Sequence, residues 1–530
     1  MGVVRLERSG AAWMAFLDEC ERIIMRNEFE TVVFFGDSLT DSGNLYDLTS
    51  DALGVGWPPT AFGYDQKFSN GSLWSEISPL QTNASNVLNY AYGGAEAVGT
   101  QTLEEYLFLS GLSGVPMQNT SLLDYDLNLS AQVDRFLDDC GDQDLSGHSA
   151  SLLIGLNDYA RFGPTSANPY VIMQEAQALI GAVAAATLDA ATTLLQAGVG
   201  QIVLNTLPLA EFLPLLETQT EPLKTLAPIA FATHNEIITA QAEALKAQGF
   251  DVVVVDVEKL SAEILEDPST FGFLAPLEDS VLADMGGDPA SLGYADEQVA
   301  FFDEVHPTAA GHGVMGIFHS ESLTSNIQFG SSGDDLLAGG QSDDLMFMSA
   351  GDDAAFLSRG DDVAFGGVGE DTLEGGPGDD LLSGGSGDDA LVGGSGHDVL
   401  AGGRGDDTLE GGQGDDVFIG GLGSDIVIGG HGDDVFVFIE PDLLGGETGS
   451  DTDRFVGAQG DDHLFLVLTN ETRASLEADM QSGVALNQAI QGIGVITVGI
   501  EEFTLLDDPT DLATLVADAA LEEADLWGIV

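Results

Sequence analysis

Basic residues are scarce in this sequence of 530 residues. It holds 14 Lys and Arg against 88 Asp and Glu, which gives a formal net charge of −74. Such a chain repels nucleic acids and anionic membrane surfaces, so we expect no nucleic-acid partner. The same excess of carboxylates attracts cations. A chain of this length is expected to form more than one domain.

Cysteines and long apolar runs are scarce as well. The sequence has two cysteines, Cys20 and Cys140, so it has no disulfide framework and no CxxC metal site, and whether the two pair stays open. The most apolar segment, residues 171–197, is interrupted by Glu175 and Asp189. We therefore expect no transmembrane segment.

Apolar runs and helical patterns alternate over residues 30–325. Runs such as TVVFF and DVVVVDV are apolar throughout, and Ala- and Leu-rich stretches at 170–198 and 223–248 have helical spacing. Strands of this kind are typical of a parallel sheet that helices cover on both faces. We therefore predict an α/β domain here. The candidate strands are residues 31–35, 151–156, 201–206 and 251–257.

After residue 330 a nine-residue repeat takes over. The motif Gly-x-Asp begins at Gly333 and returns every nine residues until Gly432, with Ser342 replacing the glycine at one step. Most repeats after residue 366 read G-G-x-G-[DEHS]-D-x-apolar-x. A disordered Gly/Asp-rich linker is the alternative, but a linker has no reason to keep the frame and the apolar residues in phase.

The repeat resembles the calcium-binding nonapeptide of RTX proteins. The resemblance implies an all-β parallel β-roll over residues 331–440, in which two nonapeptides form one coil and the apolar residue after the second Asp points into a thin core. Glycine permits the positive φ of a tight turn, and Asp offers a carboxylate oxygen to Ca²⁺. Several structural Ca²⁺ ions are thus the expected cofactor. The expected ligands are Asp335, Asp344, Asp353, Asp362, Asp371, Asp380, Asp389, Asp398, Asp407, Asp416, Asp425 and Asp434.

The negative charge within the repeats bears on how the roll can fold. Residues 333–434 contain 24 acidic residues and two arginines. Without cations these carboxylates repel each other across stacked coils. We therefore expect folding of the roll to be coupled to Ca²⁺ binding.

The sequences of both terminal regions indicate how the protein could be exported. Residues 1–29 form a predicted N-terminal extension that lacks the pattern of a signal peptide. Residues 441–530 resemble the region that closes RTX domains and carries a C-terminal secretion signal. For the last residues, EEADLWGIV, the alternative is an amphipathic helix. The resemblance implies the type I secretion machinery as a partner and a secreted, extracellular protein.

Ser38 follows the first apolar run, in the stretch Gly36-Asp37-Ser38-Leu39-Thr40. Thr40 excludes the G-x-S-x-G nucleophile elbow. Ser38 is therefore a nucleophile of another kind or the polar cap of the following helix. We expect it to be both, because the start of a helix offers backbone N–H groups to an anion.

The blocks around Ser38 resemble the SGNH (GDSL) esterase and lipase family. In family order they are FFGDSLTDSGN, FSNGSLWSE (68–76), NYAYGGAEA (89–97), IGLNDYA (154–160) and FFDEVHPTAAGH (301–312). The resemblance implies a flavodoxin-like parallel sheet with helices on both faces. It also implies a serine hydrolase that cleaves carboxylic esters.

The resemblance gives each residue a role. Ser38 is expected to be the nucleophile, His306 its base and Asp303 the residue that orients the imidazole. The backbone N–H groups of Ser38 and Gly94 and the amide of Asn157 are the expected oxyanion-hole donors, although an Asn at a strand end also suits a turn.

Alternatives exist for some of these positions. Gly93 is the alternative to Gly94 in the oxyanion hole. Asp158 is expected to brace its loop rather than react, and His312 and His319 are rival bases.

The expected function is a secreted serine hydrolase that acts through an acyl-enzyme. The residues in the family blocks favour lipid or phospholipid esters as substrates. One alternative is a carbohydrate acetyl esterase of the same fold. Another is a calcium-binding surface or adhesive protein with an inactive hydrolase head. The loops at 98–148 and 208–222 are expected to set substrate preference, and the oligomeric state stays open.

Overall fold

The computed structural model describes residues 29–506, except 61–63, 70–71, 82–83, 111, 113–117, 142, 167, 219–222, 267, 272, 274–275, 278–279, 282–288, 290–298, 304, 441–451 and 482–483. The predicted N-terminal extension up to residue 28, Cys20 and the predicted C-terminal secretion signal lie outside the described residues.

The first part of the chain forms a five-stranded parallel sheet with the strand order β2-β1-β3-β4-β5. Its strands are β1 (Thr31–Gly36), β2 (Asn86–Asn89), β3 (His148–Leu153), β4 (Gln201–Asn205) and β5 (Asp251–Val255). Every residue of β1 and β4 is buried, so both faces of the sheet are covered. The predicted flavodoxin-like α/β fold is confirmed, and this strand order places the topological switch point between β1 and β3.

Helices cover this sheet in two groups. The helices are α1 (Asn44–Leu53), α2 (Trp74–Gln81), α3 (Leu103–Leu109), α4 (Leu129–Cys140), α5 (Leu156–Ala160), α6 (Pro169–Gln196), α7 (Pro214–Thr218), α8 (Leu223–Lys246), α9 (Val257–Glu266) and α10 (Ala309–Thr324). Helix α6 packs against α4 and α8, while α10 packs against α2.

Within the described residues, α6 is long and apolar enough to cross a membrane. Its Ile180, Val183, Ala191 and Leu194 are buried, as in a helix that belongs to a protein core. Glu175 and Asp189, on which the expectation of no transmembrane segment rested, both lie on this helix.

The second part of the chain forms two parallel sheets that run side by side. The even-numbered strands β6 to β22 form a nine-stranded sheet and the odd-numbered strands β7 to β21 form an eight-stranded one. Strand partners are eighteen residues apart, as with Val363 and Leu381, so two nonapeptides form one coil. The strands are β6 (Asn326–Phe329), β7 (Leu336–Ala338), β8 (Asp344–Phe347), β9 (Ala354–Phe356), β10 (Val363–Val368), β11 (Thr372–Pro377), β12 (Leu381–Ser386), β13 (Ala390–Ser395), β14 (Val399–Arg404), β15 (Thr408–Gln413), β16 (Val417–Leu422), β17 (Ile426–His431), β18 (Val435–Ile439), β19 (Asp453–Gln459), β20 (His463–Val467), β21 (Val495–Val498) and β22 (Glu502–Leu506).

A row of apolar side chains fills the space between the two sheets of the roll. Leu373, Leu382, Leu391, Leu400 and Leu409 stand two positions after the second Asp of successive repeats, and each is fully buried. This is the thin core that the repeat predicts, and the predicted parallel β-roll is confirmed.

The two roll sheets extend beyond residues 331–440 at both ends. Strand β6 begins at Asn326, and β19 to β22 continue the two sheets after residue 451. Two helices, α11 (Asn470–Gln481) and α12 (Leu486–Ala489), lie between β20 and β21.

A stack of phenylalanines joins the roll to the first part of the chain. Phe347 stacks on Phe329 and on Phe365, with ring centroids 5.2 Å and 5.1 Å apart. Phe271 stacks on Phe365 at 5.6 Å, and Phe318 of α10 meets Phe347 edge-on at 6.0 Å. We call these five rings the phenylalanine stack. Four of them belong to the buried apolar cluster that also contains the core of the five-stranded sheet, and Phe329 packs against this cluster.

Candidate active site and calcium-binding repeats

Ser38 lies in a tight turn directly after β1. The turn closes with hydrogen bonds from the backbone N–H groups of Thr40 and Asp41 to the carbonyl oxygen of Asp37, at 3.1 Å and 3.0 Å. Helix α1 begins only at Asn44. The expectation that Ser38 caps this helix is therefore wrong, because the chain first completes the turn.

Asp41 carries out the capping that was assigned to Ser38. Its Oδ1 accepts hydrogen bonds from the backbone N–H groups of Gly43 (2.9 Å) and Asn44 (2.6 Å), and its Oδ2 accepts that of Leu45 at 3.0 Å. The same Oδ2 accepts the N–H of Gly93 at 2.7 Å, which ties the β1 turn to the loop after β2. Sequence reasoning missed Asp41, although it lies inside the FFGDSLTDSGN block.

The structure brings Ser38, His306 and Asp303 together across 268 residues of chain. Ser38 Oγ lies 2.8 Å from His306 Nε2. On the other side of the ring, His306 Nδ1 lies 2.9 Å and 2.8 Å from the two carboxylate oxygens of Asp303. The imidazole can therefore take a proton from Ser38 while Asp303 fixes its orientation.

Burial would raise the pKa of the Asp303 carboxyl, but facing His306 and accepting several hydrogen bonds lower it below its usual range. The carboxylate therefore stays ionised across the neutral range. One of these hydrogen bonds comes from the hydroxyl of Tyr64, at 2.7 Å, a residue that sequence reasoning missed.

Gly94 and Asn157 line the same cavity as Ser38 and His306. Gly94 has a φ of +79°, and a Cβ there would lie 2.3 Å from the ring of Tyr106, so the position requires glycine. The backbone N–H of Gly93 is already donated to Asp41. This favours Gly94 over Gly93 as the oxyanion-hole glycine.

Asn157 lies in the first turn of α5, just past the end of β3. Its Nδ2 donates to the carbonyl oxygen of Ala95 at 3.0 Å, which orients the amide beside the loop that holds Gly94. The neighbouring Asp158 accepts the N–H groups of Ala97 and Val98 at 2.8 Å and 3.2 Å. It therefore braces this loop, while burial raises its pKa to about 6.

The rival histidines have other surroundings. His319 contacts Ser78 Oγ and Ser151 Oγ in the buried interior, at 2.7 Å and 2.9 Å. His312 is fully buried, and its burial lowers its pKa to about 3. His306 is the histidine that the structure places on Ser38.

A cavity of about 320 Å³ opens at Ser38 and runs between α6, α7 and α8. Arg161 reaches this cavity as well, where it pairs with Glu96 and donates to the carbonyl oxygen of Gly94 at 3.3 Å. Most of the lining is aliphatic or aromatic, including Leu156, Leu179, Leu213, Leu216, Leu226 and Phe231.

The Asp residues of the repeats form a ladder along the roll. In each coil, Asp Oδ1 accepts the backbone N–H of the Asp eighteen residues earlier, as from Asp371 to Asp389 (2.8 Å) and from Asp380 to Asp398 (2.9 Å). The second oxygen, Oδ2, is buried without a hydrogen-bond partner at Asp353, Asp362, Asp371, Asp380, Asp389, Asp398, Asp407, Asp416 and Asp434.

Seven of these nine oxygens face the first glycine of a repeat pair; the exceptions are those of Asp353 and Asp362, whose repeats have Met348 and Leu357 at that position. A Cβ on Gly375 would lie 2.2 Å from Asp380 Oδ2, so only glycine leaves room beside the carboxylate. Burial raises the pKa of Asp380 and of Asp398 to about 8, and a bound cation would keep both ionised.

This donor set fits Ca²⁺. Ca²⁺ takes carboxylate and backbone carbonyl oxygens as ligands, and the buried Oδ2 atoms of the ladder are of the first kind. In the described part of the chain, no group of three His, Cys, Asp or Glu side chains converges.

At both ends of the roll, the Asp ladder differs from the set of Ca²⁺ ligands that the sequence predicts. Both carboxylate oxygens of Asp344 accept protein donors, Asn326 Nδ2 and the N–H of Gly340, each at 2.6 Å. Asp335 Oδ2 accepts both the N–H and the hydroxyl of Ser331. At the other end, Asp462 continues the ladder by accepting the N–H of Asp434 at 3.1 Å. Sequence reasoning missed Asp462 because 28 residues, rather than eighteen, separate it from the previous rung.

A Ser–His–Asp relay at the carboxyl edge of a doubly wound parallel sheet, next to the switch point, is the arrangement of a serine hydrolase. The sequence model of the GDSL-like lipase/acylhydrolase family matches residues 32–317, more than half of the chain. This chain therefore belongs to that family. Models of the RTX calcium-binding nonapeptide repeat match five segments between residues 327 and 437.

Two curated proteins are similar to this chain. The phosphatidylcholine-sterol acyltransferase of Aeromonas hydrophila is 29% identical over 263 residues, which are 49% of this chain and 67% of that protein. The thermolabile hemolysin of Vibrio parahaemolyticus is 28% identical over 300 residues, 54% of this chain and 62% of that protein. The chain thus spans about two thirds or less of the length of these relatives.

Among solved structures, a protein assigned as an acylhydrolase from Bacteroides fragilis covers 60% of this chain at 13% identity, and 98% of that chain is covered. Its TM-score is 0.26, which is too low to support a conclusion about this chain.

Proposed function

We propose that this ester hydrolase acts on lipid esters through an acyl-enzyme on Ser38, and that its repeats bind Ca²⁺ to fold the roll. The observation that carries the proposal is the relay from Ser38 Oγ through His306 to Asp303, with Ser38 and His306 in the lining of a mostly apolar cavity. An assembled relay also speaks against an adhesive protein with an inactive head.

The reaction follows from the positions of the groups. Ser38 Oγ attacks the acyl carbon while its proton passes to His306 Nε2, and the N–H groups of Ser38 and Gly94 and the amide of Asn157 face the oxyanion. The protonated Nε2 then gives its proton to the departing alcohol, which leaves the acyl group on Ser38. Water attacks this ester, loses a proton to Nε2, and the acid leaves as Ser38 regains its proton.

The size and lining of the cavity favour a long acyl chain. At about 320 Å³ the cavity lies at the lower end of the range of pockets that take drug-sized ligands, and an acetyl group would leave most of it empty. Leu213, Leu216 and Phe231 line it with apolar surface, whereas a sugar would need convergent hydrogen-bond donors and acceptors. A lipid ester is therefore favoured over a carbohydrate acetate.

Phospholipids are favoured among lipid esters. One relative is named for its action on phosphatidylcholine, and the cavity contains a cationic side chain, Arg161. A guanidinium suits a phosphate that lies beside the ester to be cleaved.

Export is the other part of the proposal. RTX repeats at residues 327–437 and a hemolysin among the relatives support a secreted protein that uses the type I machinery. Folding of the roll would then wait for extracellular Ca²⁺, since its buried carboxylates need a cation.

A substrate series tests the proposal. Wild type and Ser38→Ala are compared on p-nitrophenyl esters from acetate to palmitate, on phosphatidylcholine vesicles and on acetylated xylan, all in calcium. We expect activity to rise with acyl length and to fall by about 10⁴-fold or more in Ser38→Ala. A preference for acetylated xylan would contradict the lipid assignment, and equal activity of the two proteins would contradict the role of Ser38. The exposed Ser85→Ala is the matched control.

A further inference from the structure

The carboxylate of Asp303 has more hydrogen-bond donors than the triad requires. Its Oδ1 accepts the backbone N–H groups of Val305 and His306, each at 2.8 Å, in addition to the imidazole. Its Oδ2 accepts the hydroxyl of Tyr64, which lies 239 residues earlier in the chain, at 2.7 Å. The loop itself thus supplies two donors, and a distant segment supplies the third.

Aromatic neighbours fix the ring of Tyr64. It meets Phe302 edge-on with the centroids 4.9 Å apart, and it meets Phe68 edge-on at 6.2 Å. Phe68 in turn stacks on the imidazole of His306 at 4.8 Å. Residues 64–68 therefore contact both the aspartate and the histidine of the relay.

We propose that Tyr64 is a positioning residue that tunes the basicity of the Ser38–His306–Asp303 relay through its hydroxyl. This inference rests on the proposed hydrolase function. Two backbone N–H groups already hold the carboxylate of Asp303 in place, so the remaining effect of the hydroxyl is on charge. A donor to a carboxylate stabilises the negative charge and reduces the support that this charge gives to a protonated imidazole. Without this hydroxyl, the charge of Asp303 would support a protonated imidazole more strongly.

Tyr64 is suited to be a donor. Its burial and the adjacent charge of Asp303 raise its pKa above the usual range for tyrosine, so the hydroxyl keeps its proton.

Other groups also face the imidazole. Ser38 and Asp303 contact it, while Asp37 at the end of β1 and His312 on α10 interact with it through space. The substitution Tyr64→Phe leaves all four side chains in place. A change in the pH dependence of the reaction therefore reports on the lost hydroxyl.

The test compares Tyr64→Phe with a matched control, Tyr90→Phe. Tyr90 also donates to a carboxylate, Asp139 Oδ2 at 2.8 Å, but at an exposed site outside the relay. For hydrolysis of a p-nitrophenyl ester, we expect the acid limb of kcat/KM in Tyr64→Phe to move up by roughly half to one pH unit. Activity below the limb should then fall about three- to tenfold, with the plateau retained. Tyr90→Phe should keep the wild-type profile.

Two results would overturn the inference. One is an acid limb at the same pH in Tyr64→Phe and wild type, which would leave Tyr64 a packing residue. The other is an equal loss of activity at every pH, which would mean that the ring supports the fold rather than the charge balance. Tyr64→Leu, which removes the ring, shows what such a packing loss looks like.

A second readout does not depend on the substrate. Histidine-labelled protein is titrated by NMR, and the ring resonance of His306 is identified by its loss in His306→Gln. We expect this resonance to titrate at higher pH in Tyr64→Phe than in Tyr90→Phe. If no ester is cleaved by wild type, the proposed function fails, while this titration still decides the role of Tyr64.

Discussion

In the hydrolase part of the chain, the buried carboxylates of Asp41 and Asp158 are met by backbone N–H groups, four in the case of Asp41, and Asp37 Oδ2 is an exception that is buried without a partner. Inside the roll, Asp380 and Asp398 have one oxygen in the ladder and the other buried without a partner. The first arrangement is complete within the chain. The second is complete only with a cation, because a buried unpaired carboxylate is costly. We therefore expect one polypeptide to combine a part that folds without a cation and a part that folds only with one.

Among these changes, removal of calcium should produce the largest difference in stability between the two parts of the chain. Each ion at a hundred times its Kd adds about 2.7 kcal/mol to the free energy of unfolding, so losing several should unfold the roll. Far-UV circular dichroism and urea unfolding of the full chain, in chelator and in millimolar calcium, measure this. Superimposable curves would remove the distinction between the two parts.

The phenylalanine stack is where the two parts meet. Phe365 is 2% exposed, and Phe365→Ala should lower the free energy of unfolding in calcium by about 3–5 kcal/mol, because the cavity would lie between the roll and Phe271, which follows α9. Phe356, 41% exposed in β9, is the matched control, with an expected change within about 0.5 kcal/mol. Equal effects in urea unfolding would mean that the stack does not join the two parts.

The proposed oxyanion hole lies in the hydrolase part of the chain. Asn157→Ala should lower kcat about 100- to 1000-fold, because one donor to the oxyanion is lost. The free energy of unfolding in calcium should fall by only about 1 kcal/mol, because the hydrogen bond to Ala95 is lost as well. Asn119→Ala, at an exposed turn, is the control for both measurements. A loss of less than about twofold in kcat would exclude Asn157 from the oxyanion hole.

A single rung of the ladder should have the smallest effect. Asp398→Asn keeps the Oδ1 that accepts the N–H of Asp380 but removes the charge. We expect calorimetry to detect about one ion fewer and a loss of about 2.7 kcal/mol or less, with ester hydrolysis in saturating calcium unchanged. The exposed Asp388→Asn is the matched control, and an equal loss there would point to general charge rather than to a site.

Regular patterns made much of this fold predictable. The nine-residue frame predicted the buried leucines and the rungs of the ladder, since each coil repeats the last. Strands β1, β4 and β5 were predicted because they are apolar on both faces. Strand β2 was not, because Asn86–Asn89 is short and partly exposed at the edge of the sheet.

The site was predictable only where a motif supplied it. Ser38, Asp303 and His306 lie within the family blocks, and whether they perform the expected chemistry is still a prediction. Tyr64 could not be found in this way, because its role depends on a contact with a residue 239 positions away. The prediction that Ser38 caps the following helix was wrong. Local propensity cannot show that the turn closes before the helix begins at Asn44.

The phenylalanine stack has a practical consequence for handling this protein. Phe318 and Phe271 lie on one side of the change in composition near residue 330, and Phe347 and Phe365 lie on the other. A chain cut at residue 325 would leave the first two rings facing water without their partners. An exposed aromatic patch of this kind promotes self-association, so we expect the shortened protein to aggregate on storage whether or not its relay is intact.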